Sequence, residues 1–212
     1  MEFSRRGVML VIASPSGAGK SSITRTLLAE QNNLTMSVSV TTRPMRDGEV
    51  DGKDYHFVSV EKFTAMRDAG ELLEWARVHS NYYGTPVADV DQRIENGHDV
   101  VFDIDYQGTQ QLYEKRREHL VSVFLLPPSI PELRARLKGR ALDSDDVIDR
   151  RLHNARTEME HWAEYDYVLV NDDLAETTRK VTGILAAARI ARTRQKDLSA
   201  FVKSLQEQID DL

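Results

Sequence analysis

Six apolar residues in succession, Val8 to Ala13 (VMLVIA), lead straight into Ser14-Pro15-Ser16-Gly17-Ala18-Gly19-Lys20-Ser21. This junction constrains the chain more than any other segment. An unbroken run rich in β-branched residues suits a strand covered on both faces in a parallel sheet. The residues after it fit the phosphate-loop pattern GxxxxGK[ST], with Ser14 in place of the first glycine. From Lys20 to about Gln31, Ile23, Leu27 and Leu28 have helical spacing. A strand, a glycine turn and a helix in that order make an anion cradle. Main-chain N–H groups wrap a phosphate, the lysine bridges neighbouring phosphates and the Ser21 hydroxyl reaches a magnesium ion. Glycine is needed where a Cβ would hold the backbone away from the anion. Ser14, Pro15, Ser16, Gly17, Ala18, Gly19, Lys20, Ser21 and Ser22 are therefore the candidate residues for a nucleoside triphosphate.

Apolar runs return at Asp99 to Ile104, Val121 to Leu126 and Tyr167 to Val170, each followed by a helical or helix-capable segment. That rhythm predicts an α/β fold, a parallel sheet flanked by helices. Two segments interrupt it. Residues 37–89 hold SVSVTT, YHFVSV and ELLEWA, divided by polar turns such as Arg46-Asp47-Gly48 and Asp51-Gly52, and read as a small insertion with its own sheet. Residues 129–164 are helical and charged. There the capping box Ser129…Glu132, with Pro131 in the first turn, opens a helix that breaks near Gly139, and Ser144 before Asp145-Asp146 starts another. A hinged helical pair beside such a core reads as a lid. The expected core is then 1–36, 90–128 and 165–196. Over 197–212, Leu198, Phe201, Val202, Leu205, Ile209 and Leu212 form the stripe of an amphipathic helix, which either packs on its own domain or meets a second copy of the chain.

The absence of cysteine excludes a disulfide framework, a thiolate nucleophile and a zinc–cysteine site, and suits the reducing cytoplasm. Arg5-Arg6 before an apolar run imitates a twin-arginine signal, but the run is too short for one and enters the glycine turn directly. No segment approaches the ~18 apolar residues of a membrane span. A net charge of -6 argues against a general nucleic-acid coat, yet 20 of the 28 cations are arginines, suited to forked grips on phosphate. They gather at Arg43 and Arg46, and at Arg134, Arg136, Arg140, Arg150, Arg151 and Arg156, of which Arg134 and Arg156 read as solvated helix-face residues. The six histidines are scattered without ligand or triad spacing. Val100 to Phe102 leads into Asp103 and Asp105, two acids at i and i+2 on one strand face at the carboxyl end, where open α/β sheets bind ligands. Asp103 is the natural second partner of a magnesium ion.

Several further motifs occur in a fixed order: Ser37-Val38-Ser39-Val40-Thr41-Thr42-Arg43-Pro44-Met45-Arg46, Gly48-Glu49-Val50-Asp51-Gly52-Lys53-Asp54-Tyr55, Leu73-Glu74-Trp75, Asn81-Tyr82-Tyr83-Gly84 and Asp103-Ile104-Asp105-Tyr106-Gln107-Gly108. Together with the phosphate loop they resemble guanylate kinase, over about residues 7 to 190. The resemblance implies a P-loop NTPase core with a mixed-strand insertion that binds the nucleoside monophosphate and a helical lid. It implies that Arg43, Arg46, Tyr55 and Tyr83 take the GMP phosphate and that Ser39, Glu74, Thr85 and Asp105 take guanine. In the lid it brings Arg136, Arg140 and Arg151 to the phosphates, and it sets Asn171 near the donor adenine. Arg150 competes with Arg151, because one residue along a helix turns a side chain by about 100°. Lys20, Arg43, Arg136, Arg140 and Arg151 become the catalytic cations, and Ser21 and Asp103 the holders of Mg²⁺.

The chemistry of guanine agrees with that assignment. Its N1–H and N2–H₂ donors suit the carboxylate of Glu74, while O6 accepts from a hydroxyl at Ser39 or Thr85. The implied partners are ATP and GMP, with neither nucleic acid nor membrane. Two other readings are a related P-loop kinase acting on a sugar phosphate and an inactive guanylate-kinase-like interaction module.

Overall fold

The structure is a computed structural model and describes residues 3–78, 80–139 and 144–211. In chain order its elements are β1 (Met9–Ala13), α1 (Lys20–Glu30), β2 (Leu34–Met36), β3 (Val40–Thr41), β4 (His56–Phe57), α2 (Val60–Asp68), β5 (Leu72–Val78), β6 (Asn81–Pro86), α3 (Val87–Glu95), β7 (Asp99–Phe102), α4 (Tyr106–Arg116), β8 (Leu120–Leu126), α5 (Ile130–Lys138), α6 (Asp145–Glu160), β9 (Tyr167–Val170), α7 (Leu174–Arg189) and α8 (Leu198–Asp210).

Five parallel strands form the main sheet, in the order β2-β7-β1-β8-β9. Alternate side chains of the central β1 enter two different cores. Leu10 and Ile12 join Ile23 and Leu27 of α1 with Val181 and Leu185 of α7, whereas Met9 and Val11 join Val90 and Ile94 of α3 with Leu112 of α4. Helices on both faces leave β1 no solvated side, which is why VMLVIA carries no polar alternation. Beneath the strands, the fully buried Asp99 accepts from Val8 N (2.8 Å), Arg5 Nη1 (2.7 Å) and Arg189 Nε (2.7 Å). A buried carboxylate is tolerable only with such donors.

The second sheet is mixed, in the order β4-β3-β6-β5, around a small core of Val40, Phe63 and Leu72. An irregularity in β5 between Leu72 and Glu74 lets three consecutive residues be buried. Leu72 enters this small core, Leu73 enters the main core, and Glu74 pairs opposite Thr85. Gln111 of α4 fastens β5 to the main domain, accepting from Trp75 N (3.0 Å) and donating to Trp75 O (2.9 Å).

Three local expectations change. The strand expected over YHFVSV shrinks to His56–Phe57, because Ser59 Oγ accepts from Lys62 N (3.2 Å) and caps α2. Satisfying an orphan helix amide outweighs the β preference of Val58 and Val60. β2 is too short to register as a periodic pattern and exists by pairing with β7, Leu34 to Asp99 and Met36 to Val101. β7 ends at Phe102, so Asp103 and Asp105 do not share a strand face: Asp105 Oδ1 accepts from Gly108 N (3.0 Å) and caps α4.

In the charged helical segment, Ser129 Oγ accepts from Glu132 N (3.2 Å), and α5 and α6 share a small core of Leu133, Leu137, Ile148 and Ala155. Ser144 precedes α6 without a side-chain cap bond. None of the α8 residues is buried, and Val202, Leu205 and Ile209 are exposed. Among the described residues, no helix is long and apolar enough to cross a membrane.

Candidate active site

Parallel strands bring the ends of β1, β7 and β9 to one rim of the sheet, where the phosphate loop, Asp103 and Asn171 meet. Lys20, the first residue of α1, forms an ion pair with the exposed Asp103. Gly19 has φ 105°, and a Cβ there would lie 2.2 Å from Asn171 Nδ2. Gly17 has φ 91°, and a Cβ there would lie 2.9 Å from Leu137 Cδ2 in α5. Both positions thus need glycine for conformation and for close approach. The first turn of α1 presents amides that have no partner within the helix, a ready anion site.

Asn171 closes the loop from behind, donating from Nδ2 to Ala18 O (2.7 Å). Its Oδ1 is buried and has no hydrogen-bond partner. Arg136 Nη1 donates to Asn171 O (3.0 Å), and a cleft of about 370 Å³ opens among Gly17, Gly19, Ser22, Arg136, Gly139 and Asn171. A buried acceptor without a partner, on a residue that borders a cleft, is a group whose hydrogen-bonding capacity a ligand donor can fill. From α6, Glu158 Oε2 accepts from Ser16 N (3.1 Å), so this helix holds a carboxylate against the phosphate loop.

A second cationic cluster lies on the small sheet. The Arg43 guanidinium is forked onto Glu49, with Nη2 to Oε1 at 2.6 Å and Nη1 to Oε2 at 3.0 Å. Its Cζ lies 5.3 Å from the Tyr55 ring centre and 5.7 Å from that of Phe57. The Tyr55 and Tyr83 rings meet edge to face at 6.0 Å. The fork and the Arg46 amide hold the Glu49 carboxyl down at about 2, and Glu49 raises the Arg43 guanidinium well above its ordinary value. Burial raises the Tyr55 phenol, and the neighbouring Tyr83 adds to it.

Beside this cluster, Glu74 is only 4% exposed. Thr85 Oγ1 donates to its Oε1 at 2.6 Å. Oε2 faces the first turn of α4, 3.0 Å from where a Cβ on Gly108 would stand. Burial drives the Glu74 carboxyl up to about 7, against the lowering hydrogen bond from Thr85, and the charge of Asp105 raises it further. The result is a buried acceptor pair fixed on paired strands, suited to adjacent N–H donors.

The expected residues thus fall in three groups. Lys20, Asp103, Asn171 and Arg136 border the phosphate loop; Arg43, Tyr55 and Tyr83 form the second cluster; Glu74, Thr85 and Asp105 adjoin one another. Ser39 is half-buried just before β3, its carbonyl accepting from His56 N (2.9 Å). Arg46 is exposed, Arg151 is half-buried on α6 and Arg150 is exposed. Arg140 lies outside the described residues. Sequence reading assigned nothing to Glu49 or Glu158. A signal for Glu49 exists, three residues after Arg46 with Gly48 between them, the spacing of a closed turn. Glu158 on a charged helix carries none.

A family model described as Guanylate kinase matches residues 6–188. The guanylate kinase of Nitrobacter winogradskyi is 54% identical over 206 residues, 97% of this chain and 94% of that protein. That of Paramagnetospirillum magneticum is 57% identical over 202 residues, 95% of this chain and 94% of that protein. The crystal structure of guanylate kinase from Anaplasma phagocytophilum has a TM-score of 0.75 at 38% identity, covering 96% of this chain and 97% of that one. A match that runs through the phosphate loop, the Arg43 cluster, the Glu74 pair and the α5–α6 helices alike makes this chain a member of the guanylate kinase family, an enzyme among the nucleoside monophosphate kinases.

Proposed function

We propose that the chain transfers the γ-phosphoryl group of ATP to GMP or dGMP with Mg²⁺, giving ADP and GDP or dGDP, in cytoplasmic purine nucleotide recycling. The observation that carries this reading is the buried Glu74–Thr85 pair beside a guanidinium framed by two tyrosines. The carboxylate takes guanine N1–H and N2–H₂, and Arg43, Arg46, Tyr55 and Tyr83 take the phosphate. Adenine would turn a lone pair at N1 toward that carboxylate and leave it unpaired, a mismatch worth on the order of 10⁴-fold.

Phosphoryl transfer requires positioning and charge neutralisation. The acceptor is a phosphate monoester whose second pKa is near 6, so it is mostly a dianion at pH 7 and requires no general base. Repulsion between two polyanions is the obstacle. Lys20 and the phosphate-loop amides hold the donor, Arg43 and Arg46 the acceptor, and Arg136, Arg140 and Arg151 neutralise charge from the lid. Asn171 Oδ1 receives the adenine amino group.

Ser21 and Asp103 line one cleft with Lys20 and offer a hydroxyl and an exposed carboxylate, hard oxygens in the small number that Mg²⁺ requires when phosphates and water complete its shell. Held by Ser21 and Asp103, the ion would supply charge neutralisation to the phosphates. The insertion 37–89 draws inward with GMP and the lid 129–164 with ATP, excluding water before transfer. Because Glu158 and the triphosphate bring like charge to one loop, ATP repositions α6. The exposed stripe of α8 supports a contact with a second copy, which sedimentation velocity measures.

A coupled assay of ADP release against GMP, dGMP, AMP, CMP, UMP and ribose 5-phosphate tests the reading. Turnover with the sugar phosphate alone, or with no acceptor, would overturn it in favour of a different kinase or an interaction module. The phosphate loop with Lys20, Arg43, Arg46 and Asp103 all in place favours the enzyme over the module.

A further inference from the structure

Three donors converge on the Glu49 carboxylate: the two Arg43 nitrogens and Arg46 N, which donates to Oε2 at 2.7 Å. The Glu49 main chain closes the same turn, its N–H donating to Arg46 O (3.1 Å), with Gly48 at φ 86°. Arg43 Nη1 also donates to Pro44 O (2.7 Å). A guanidinium has five N–H donors, and these contacts use both on Nη1 and one on Nη2. The two that Glu49 and Pro44 leave, on Nε and Nη2, lie side by side on one edge of the plane, and the Tyr83 side chain also reaches this guanidinium. That edge is a two-pronged fork of the kind that grips two oxygens of a phosphate.

We propose that Glu49 is a positioning residue for the acceptor phosphate. It clamps one edge of Arg43 and the main chain of Arg46, and so presents the other edge of Arg43 to the phosphate monoester. This rests on GMP being the acceptor. The rival role is a stand-in anion that the phosphate displaces. Displacement would strip Arg46 N of its acceptor and open the Arg46–Glu49 turn, whereas the edge of Arg43 that Glu49 leaves, with Tyr83 beside it, takes the phosphate while the Glu49 bonds are kept. The two roles also oppose each other in sign. Removing the Glu49 charge makes the site more positive, so a competitor's loss tightens GMP binding, while a clamp's loss weakens it.

Calorimetry with GMP and with guanosine, alongside steady-state kinetics, on wild type, Glu49→Gln, Glu49→Ala and Glu49→Asp decides between them. The expected result is GMP binding weakened roughly 10- to 100-fold in Gln and Ala, the range of one or two charge-assisted hydrogen bonds. KM for GMP rises accordingly, KM for ATP stays within about twofold, and Asp recovers part of the loss. Guanosine, which lacks the phosphate, keeps its wild-type affinity. Tighter or unchanged GMP binding overturns the proposal, as does an equal loss for GMP and guanosine, the mark of a collapsed insertion. Wild type that binds ATP but not GMP overturns the acceptor assignment instead.

Discussion

Replacing Glu74 by glutamine separates what a buried carboxylate does for binding from what it does to the fold. Burial lifts its carboxyl from the ordinary 4.5 to about 7. The folded protein therefore holds this proton more tightly than the unfolded chain. Stability from the group is fully present below pH 4.5, declines as pH rises to 7 and stays lost above it. At about 1.4 kcal/mol per pH unit, the total is about 3 kcal/mol. Glutamine keeps an acceptor for the Thr85 hydroxyl and does not ionise. Relative to wild type, Glu74→Gln should gain about 3 kcal/mol between pH 4.5 and pH 8, measured as the difference in urea-unfolding free energy at the two pH values. Its GMP affinity at pH 8 should fall by on the order of 10²-fold, because an amide cannot serve both guanine donors with a charged acceptor. A stability difference between variant and wild type that does not change with pH would refute the reasoning, since the burial penalty on the charged form would then be absent.

The same titration governs binding. Guanosine, which avoids the phosphate's own titration near pH 6, should lose affinity about tenfold for each pH unit below 7 and bind independently of pH above it; calorimetry from pH 5.5 to 8.5 checks this. Lys20→Ala should lower kcat by roughly 10²- to 10³-fold with an unchanged circular dichroism spectrum, and unaltered turnover would contradict the donor-site assignment. Asp99→Asn, which strands Arg5 and Arg189 around a neutral group, should cost about 3 to 5 kcal/mol with little change in KM for either substrate, read by urea unfolding and the coupled assay.

Much of the architecture follows from short-range pattern. VMLVIA with the glycine turn and Lys20 announces a doubly covered strand, an anion loop and a helix in one short pattern, although the strand itself forms only by pairing with the distant β7 and β8. The Ser129 capping box opens α5 from its neighbours in the chain. Ser59 shows the limit of such reading, since its hydroxyl ends the apparent YHFVSV strand by capping a helix that no hydrophobic period signalled.

Other properties wait on the tertiary structure. Glu74 is one acid among 34 in the sequence; it becomes a carboxyl titrating near 7 only because the β5 irregularity buries it beside Thr85 and the first turn of α4. Asn171 acquires an unpaired acceptor only when β9 lies near the phosphate loop, 153 residues away in the chain. Glu49 closes a local turn, but its fork on Arg43 gains meaning from the Tyr55 and Tyr83 rings carried by other segments of the small sheet. Hydrophobic period and turn chemistry act over a few residues and so are written in local order. Burial and charge depend on which distant groups exclude water from a side chain, and only the assembled sheets decide that.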